Sequence, residues 1–375
     1  MKRVMVLHGP NLDLLGIRQP EVYGTASLDQ LLEQIIAWGH ELDLQITHFQ
    51  SNHEGELIDR IHTARQEVEG IVINAGAFTH YSYAIYDALT AVMVPAVEVH
   101  ISNIKRREGW RRRSVIAPAA VMSIHGRGLA GYRWALLHLH HRLAVPPEPT
   151  SYGRFPDQIG DLRRPPSVDN PPLAVLIHGG LWEEPWTRDT TEGWAVELAR
   201  RGVASVNLEY RRVGAGGGWP ESFHDVKAGY EAAVALDRID PSRVVVAGHS
   251  AGATMALWLA GEQLTVPPRV VVSAAGITDL VRAREEDLGG GTVSSLLGQR
   301  PLQPEAISPL HRAPTGVATR LISCLDDHLV DPGYAHAYRQ RAGTEAELVE
   351  LAATHMAVID PGDAAFAATV EAMVT

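Results

Sequence analysis

Between Ala144 and Pro172 the chain reads AVPPEPTSYGRFPDQIGDLRRPPSVDNPP, a run too rich in proline and polar residues to continue a helix or the interior of a sheet. It divides the 375 residues into two stretches, each long enough to bury a core of its own. Two domains are therefore expected, 1–146 and 147–375. The first part of the proline-rich segment reads as linker. Its middle, Gln158–Arg163, reads as an edge strand of the second domain.

Both stretches alternate short apolar runs with amphipathic ones. In the first, Arg3–Leu7, Gln45–Phe49, Gly70–Asn74, Val94–Val99 and Val121–Ile124 have the character of buried parallel strands. Leu28–His40, Glu54–Val68, Tyr81–Val92 and Leu129–Leu143 place apolar residues at three- and four-residue spacing, as helices do. The expected fold is α/β, a doubly wound parallel sheet with active residues at the carboxyl ends of its strands. The second stretch repeats the rhythm, with strands expected at Ala174–Ile177, Ala204–Leu208, Val244–Ala247, Val270–Ser273 and Arg320–Ser323.

A net charge of −11 argues against nucleic acid or an anionic membrane as a partner. Against that background KRREGWRRR, Lys105–Arg113, stands out as a site for a small anion. Cys324 is the single cysteine, so no internal disulfide can form. The opening apolar run is cut short by His8, Gly9, Pro10 and Asn11, unlike a signal peptide. A cytoplasmic protein acting on small molecules is expected.

The first stretch carries GPNLDLLG (Gly9–Gly16), RQPEVYG (Arg18–Gly24), QSNHEGELID (Gln50–Asp59), INAGAFTH (Ile73–His80), EVHISN (Glu98–Asn103) and IAPAAV from Ile116. The loop Gly9–Gly24 follows the first strand, and Gly16, Pro20 and Gly24 let it fold over a ligand. It holds Arg18 and Tyr23. A tyrosine is a weak base alone, but a nearby guanidinium favours the phenolate and makes it a usable proton acceptor. Such a set suits removal of a proton beside a ketone.

These blocks resemble type II 3-dehydroquinate dehydratase over about residues 1–145. The resemblance implies a flavodoxin-like fold, no cofactor or metal, and a homo-oligomer, a dodecamer of trimers. It also implies roles. Tyr23 would be the base, Arg18 would keep it ionised, Asn11 would hold the water that stabilises an enolate, and His100 would be the general acid. Asn74, His80, Asp87 and Arg111, with the amides of Ile101 and Ser102, would bind the substrate. Glu98 would orient the array from behind, and Arg107 would be a lid or interface partner. The chain departs from the pattern at His8 and Asp13, where asparagine is usual, and at Tyr81 and Tyr83, where smaller residues are usual. His138, His140 and His141 end a helix with no HExxH or cysteine partner, and read as a surface face.

In the second stretch GHSAG, Gly248–Gly252, follows the apolar VVVA and precedes TMALWLAG, the strand–turn–helix setting of a nucleophile elbow. Ser250 is the expected nucleophile. The acid and base should follow in that order, and Asp327 and His355 fit, with Asp326 and Asp331 as weaker acids and His328 as a loop residue. IHGGLW (Ile177–Trp182) should form the oxyanion hole from the amides of Gly180 or Leu181 together with Ala251. His178 is expected to support that loop. The domain resembles α/β-hydrolases of the HGG-x-W group, small esterases and kynurenine formamidases among them. EYRRVGAGGGWP then reads as a mobile loop near the pocket, and Trp182, Trp186 and Trp219 as an aromatic acyl pocket. The two sets together imply a bifunctional enzyme, its hydrolase substrate an ester or amide such as an acyl quinate or, alternatively, formylkynurenine. In that alternative the first domain would serve partly as an oligomeric scaffold.

Overall fold

A computed structural model describes residues 1–166, 168–298 and 303–374. They form two compact units, Met1–Ala144 and Val145–Thr375.

In the first unit β1 (Lys2–His8), α1 (Pro20–Tyr23), α2 (Leu28–Glu41), β2 (Leu44–Gln50), α3 (Glu54–Glu67), β3 (Gly70–Asn74), α4 (Tyr83–Val92), β4 (Ala96–His100), β5 (Met122–His125) and α5 (Ala130–Ala144) follow in order. The five strands are all parallel and lie in the order β2-β1-β3-β4-β5. Side chains alternate across the sheet. Val4 and Val6 face one core with Leu31, Ile35, Val97 and Leu136. Met5 and Leu7 face the other with Leu57, Ile61, Ile73 and Leu89. The chain reverses direction of winding between β1 and β3, which opens a crevice at the carboxyl ends where β1, β3 and β4 finish in His8, Asn74 and His100.

The second unit holds β6 (Glu148–Ser151), β7 (Ile159–Arg163), β8 (Pro172–Ile177), α6 (Glu192–Arg200), β9 (Ala204–Leu208), α7 (Glu221–Val234), β10 (Asp240–His249), α8 (Ala251–Ala260), β11 (Val270–Ala274), β12 (Ala318–Cys324) and β13 (Ala346–Leu351), with further helices that include Gly333–Ala342 and Ala364–Val374. Its eight strands run β13-β12-β11-β10-β8-β9-β7-β6, parallel except at the β6 and β7 edge. Two of these strands were hidden in the sequence. β6 lies in what reads as linker, so that segment is sheet edge. β13 has the alternating pattern AELVEL of an edge strand instead of an apolar run. Strand β10 and helix α8 are buried without a break from Val246 to Ala260, so Ser250 sits on a rigid joint. Among the described residues no helix is long and apolar enough to cross a membrane.

Candidate active sites

The crevice of the first unit is lined by Asn11, Arg18, Tyr23, Asn74, His80, His100, Ile101, Ser102, Arg107 and Arg111, among others, around a void of about 670 Å³. At its floor Glu98 is fully buried. One carboxylate oxygen accepts from Thr79 Oγ1 at 2.7 Å, Ser114 Oγ at 2.7 Å and His100 Nε2 at 2.9 Å, and the other accepts from Ser123 Oγ at 2.8 Å. Burial pushes this carboxyl up, but the His100 ring and the hydroxyls of Thr79 and Ser114 outweigh burial and hold it at about 2. Because a carboxylate only accepts, His100 donates through Nε2, which leaves Nδ1 to meet a ligand.

At the rim the Arg107 guanidinium donates to the Tyr23 hydroxyl at 3.3 Å. The Arg18 guanidinium carbon instead lies over the Tyr23 ring, 5.6 Å from its centre. That hydrogen bond, set against burial, raises the pKa of Arg107. Arg111 bonds Glu108 at 2.8 Å and lies over the Trp110 ring at 4.2 Å. Burial lowers the His80 imidazole, and its Nδ1 stands 2.8 Å from the Arg113 carbonyl. Asn11 has a left-handed backbone (φ 64°), with its amide donated to Asn52 Oδ1 at 2.8 Å. Gly9 must be glycine here, since a Cβ would fall 2.4 Å from the Ala75 carbonyl oxygen.

In the second unit β10 ends at His249, and Ser250 turns sharply (φ 53°, ψ −118°) into α8. The turn is possible only because its flanks lack side chains: a Cβ on Gly248 would lie 2.3 Å from the Gly252 backbone, and one on Gly252 2.2 Å from the Ile177 carbonyl oxygen. His355 Nε2 is 3.0 Å from Ser250 Oγ, and its Nδ1 is 2.6 Å from Asp327 Oδ2. Asp327 Oδ1 accepts the amides of Leu329 and Val330, both at 2.8 Å. Burial raises the Asp327 carboxyl, but the His355 ring and those two amides hold it below its usual value. A serine, an imidazole and a carboxylate are thus joined in the order that proton transfer from the hydroxyl requires.

Beside Ser250 a cleft of about 530 Å³ is lined by Gly179, Gly180, Leu181, Trp186, Thr190, His249, Leu329, His355, Met356 and Ile359. Gly180, Leu181 and Trp182 all have positive φ, at 103°, 53° and 60°. For the two non-glycines that is strain on the order of 1 kcal/mol each. The loop is gripped from behind. His178 is buried, stacks on Tyr210 at 4.3 Å and bonds Glu209 at 2.9 Å. Tyr210 donates to the His178 carbonyl at 3.1 Å, Arg212 to the Trp186 carbonyl at 3.0 Å, and the Val213 amide to the Trp182 carbonyl at 2.9 Å. Ala251 is the first residue of α8, so its amide has no partner within the helix.

Residues 2–140 match the family model described as dehydroquinase class II. A 3-dehydroquinate dehydratase of Caldicellulosiruptor saccharolyticus is 56% identical over 140 residues, 37% of this chain and 97% of that one. The chain belongs to the type II dehydroquinase family. A second such relative, from Halothermothrix orenii, is 56% identical over 136 residues, 36% of this chain and 92% of its own. Residues 160–313 match the family model described as BD-FAE. The esterase LipW of Mycobacterium marinum is similar over 64% of this chain and 84% of its own, with a TM-score of 0.55 and 22% identity, which establishes the α/β-hydrolase fold of the second unit.

The type II dehydroquinase unit does not bring every expected residue together. Asp87 sits on the exposed side of α4 and lines no part of the crevice within one chain. Arg107, expected at a lid or interface, touches the Tyr23 oxygen itself, whereas Arg18 meets only the ring. His138 and His141 are buried in α5 instead of forming a surface face. Beyond the dehydroquinase half, Asp331 pairs with Arg282 at 3.2 Å and Asp326 and His328 are exposed, so Asp327 alone of these carboxylates reaches His355. Trp182 is fully buried and Trp219 packs edge-on against Phe223 and Trp258, which leaves Trp186 as the tryptophan in the cleft. The glycine loop is tied down through Gly218 to Ser222 and Trp219 to Leu296 and lines neither cleft. Glu209, Tyr210 and Arg212, which hold the loop of Gly180, Leu181 and Trp182, carry no assigned role in the motifs. Their signal was two arginines and a glutamate directly after an apolar strand, in a domain where such residues are rarely buried unpaired.

Proposed function

We propose that the chain is a bifunctional enzyme. Its first domain converts 3-dehydroquinate to 3-dehydroshikimate, and its second hydrolyses a carboxylic ester or amide through an acyl-serine. The first reading is carried by the meeting of Tyr23, Arg107 and His100, the last backed by Glu98, in one crevice of a unit 56% identical over 140 residues to a 3-dehydroquinate dehydratase. Tyr23, as phenolate, takes the proton from the carbon beside the ketone. The electron pair passes to the ketone oxygen, giving an enolate stabilised through a water held by Asn11. Collapse of the enolate expels the hydroxyl on the next carbon in an anti elimination, and the proton that makes it water comes from His100 Nδ1. Glu98, fixed as a carboxylate, supports the imidazolium before that transfer. Asn74, His80 and Arg111, with the amides of Ile101 and Ser102, hold the substrate's hydroxyls and carboxylate.

In the second domain the bridge of His355 between Ser250 and Asp327 carries the reading. His355 Nε2 takes the Ser250 proton as Oγ adds to the substrate carbonyl. The oxyanion rests on the amides of Ala251 and of Gly180 or Leu181. His355 then protonates the leaving group, and water reverses the sequence to free the acid. The cleft beside Ser250, with Leu181, Trp186, Met356 and Ile359, suits an uncharged apolar or aromatic acyl group. Quinate esters of aromatic acids are the proposed substrates, since the released quinate would stand one oxidation from the first domain's substrate. We propose further that the protein is cytoplasmic and assembles through trimers of the first domain into a dodecamer, for which Tyr81 and Tyr83, 58% and 60% exposed, offer apolar contact.

The test is a panel of chlorogenate-type quinate esters, formylkynurenine and a short-chain acetate ester, run beside 3-dehydroquinate and with a Ser250→Ala control. Preference for quinate esters supports consecutive roles. Preference for formylkynurenine or the acetate separates the two pathways, and no turnover of 3-dehydroquinate overturns the first assignment.

A further inference from the structure

Behind the dehydroquinase crevice three elements converge on one side chain. β1 and β3 pair in register so that His8 lies beside Asn74, and Tyr132 of α5 reaches both. The Tyr132 oxygen is 3.0 Å from Asn74 Nδ2 and 3.2 Å from His8 Nδ1. His8 and Tyr132 are fully buried and Asn74 nearly so. Asn74 lines the crevice; His8 and Tyr132 do not.

The hydrogens can be assigned in sequence. Burial, helped by the charge of His48, lowers the His8 imidazole to about 3, so it is neutral. Burial also keeps the Tyr132 phenol protonated, well above its usual range. The amide nitrogen of Asn74 only donates, so the phenol oxygen accepts there; its own hydrogen then has His8 Nδ1 as acceptor, whereas a proton on Nδ1 would leave the phenol hydrogen without a partner among the described residues. His8 then carries its proton on Nε2, which is buried and has no hydrogen-bond partner among the described residues. At the other end of the amide, the Gly76 N–H donates to Asn74 Oδ1 at 3.2 Å. A flipped amide would set its oxygen against an oxygen already donating elsewhere, and its N–H against the N–H of Gly76. One orientation survives, and it leaves the second Nδ2 hydrogen free to meet a ligand oxygen.

We infer that His8 and Tyr132 are positioning residues for substrate binding, locking the Asn74 amide so that it offers an N–H, not a carbonyl, to a hydroxyl or carboxylate oxygen of the ligand. The inference rests on the assignment of this crevice to 3-dehydroquinate. Neither residue touches substrate, so their loss acts on binding shared by ground state and transition state.

Three variants test it, each first confirmed folded by circular dichroism. Tyr132→Phe keeps the ring and removes the hydroxyl. We expect KM for 3-dehydroquinate to rise about tenfold with kcat within about twofold. His8→Leu should raise KM similarly, whereas His8→Asn, whose Oδ1 sits at the same bond distance along the side chain as Nδ1, should restore it. The double variant Tyr132→Phe/His8→Leu should be no worse than Tyr132→Phe, since both cut one path. A KM unchanged in Tyr132→Phe, or His8→Asn as poor as His8→Leu, would overturn the inference. Wild-type turnover run alongside tests the substrate assignment separately. The Asn74 side-chain amide signals of ¹⁵N-labelled protein read the locking itself: two distinct protons in the wild type that broaden in Tyr132→Phe support it, and unaltered signals reject it.

Discussion

Arg107 donates to the hydroxyl of Tyr23 at 3.3 Å, while Arg18 lies over the face of the same ring. The two cations act on one phenol by different routes. A hydrogen bond acts on the oxygen that would take the proton, and a cation above the ring acts on its π face. Arg107→Met should therefore lower kcat for 3-dehydroquinate by about a hundredfold, the range of an electrostatic contact to a reacting oxygen, with KM changed far less. Enone absorbance under steady-state conditions measures both. A rise in KM alone would make Arg107 a substrate clamp instead.

Two buried histidines make the protein sensitive to acid. Burial lowers His8 to about 3, and burial with the charge of His355 lowers His249 to about 3. Each is neutral in the folded chain and free to protonate in the unfolded one at about pH 6.5. Stability is thus fully present above pH 6.5 and declines as pH falls towards 3, by about 1.4 kcal/mol per pH unit per group. Urea unfolding at pH 7.5, 6 and 5 should show the decline in both domain transitions. His8→Asn should flatten it in the first transition only, and an equal slope in that variant would exclude His8 as the source.

The strands of both sheets were legible where they are buried on both faces, because Val4–Leu7 or Val270–Ser273 can only be an apolar run. β6 and β13 were not, since edge strands need apolar residues on one face at most, and in β6 Pro149 further masked the pattern. Most residues that line the two clefts were visible as motifs, and so were two that stand behind them inside those motifs, Glu98 and His178. Supporting residues outside the motifs were not. Nothing in the spelling of Tyr132 distinguishes a clamp from a packing residue, because its partner Asn74 lies 58 positions away along the chain. The same limit explains Arg107, whose place at Tyr23 is set by a contact across 84 positions.

The two sites share no residue, so they should fail separately. Ser250→Ala should abolish ester hydrolysis and leave 3-dehydroquinate turnover unchanged, and Tyr23→Phe should do the reverse. Asp327→Asn should lower kcat for the ester by about 10⁴, the loss expected when the base is held in the wrong tautomer. Both assays on one preparation decide the point. A Ser250→Ala protein that still hydrolyses the preferred ester would place that chemistry elsewhere.

Glu209 is the centre of the grip on the loop of Gly180, Leu181 and Trp182, the proposed oxyanion hole. Burial pushes its carboxyl up, yet Arg212 and His178 hold it well below the usual range, so it is an anion inside the protein. Arg212 lies 3.1 Å from it and is itself buried. Removing one partner of such a pair strands the other, at a cost of about 3–5 kcal/mol. Glu209→Ala should therefore unfold the second domain at much lower temperature. Glu209→Gln keeps the shape and the acceptor for His178 or Arg188 but loses the charge. Where it folds, Leu181 and Trp182 are released from their left-handed backbone, and the amides aimed at the oxyanion lose their alignment. Since that alignment matters only as negative charge develops, kcat for the ester should fall about 10- to 100-fold with KM nearly constant. Dehydroquinate turnover in the same protein serves as the internal control. An ester kcat that stays at the wild-type level in folded Glu209→Gln would mean that the loop holds its shape without the anion, by the contacts of Tyr210 and Val213 alone.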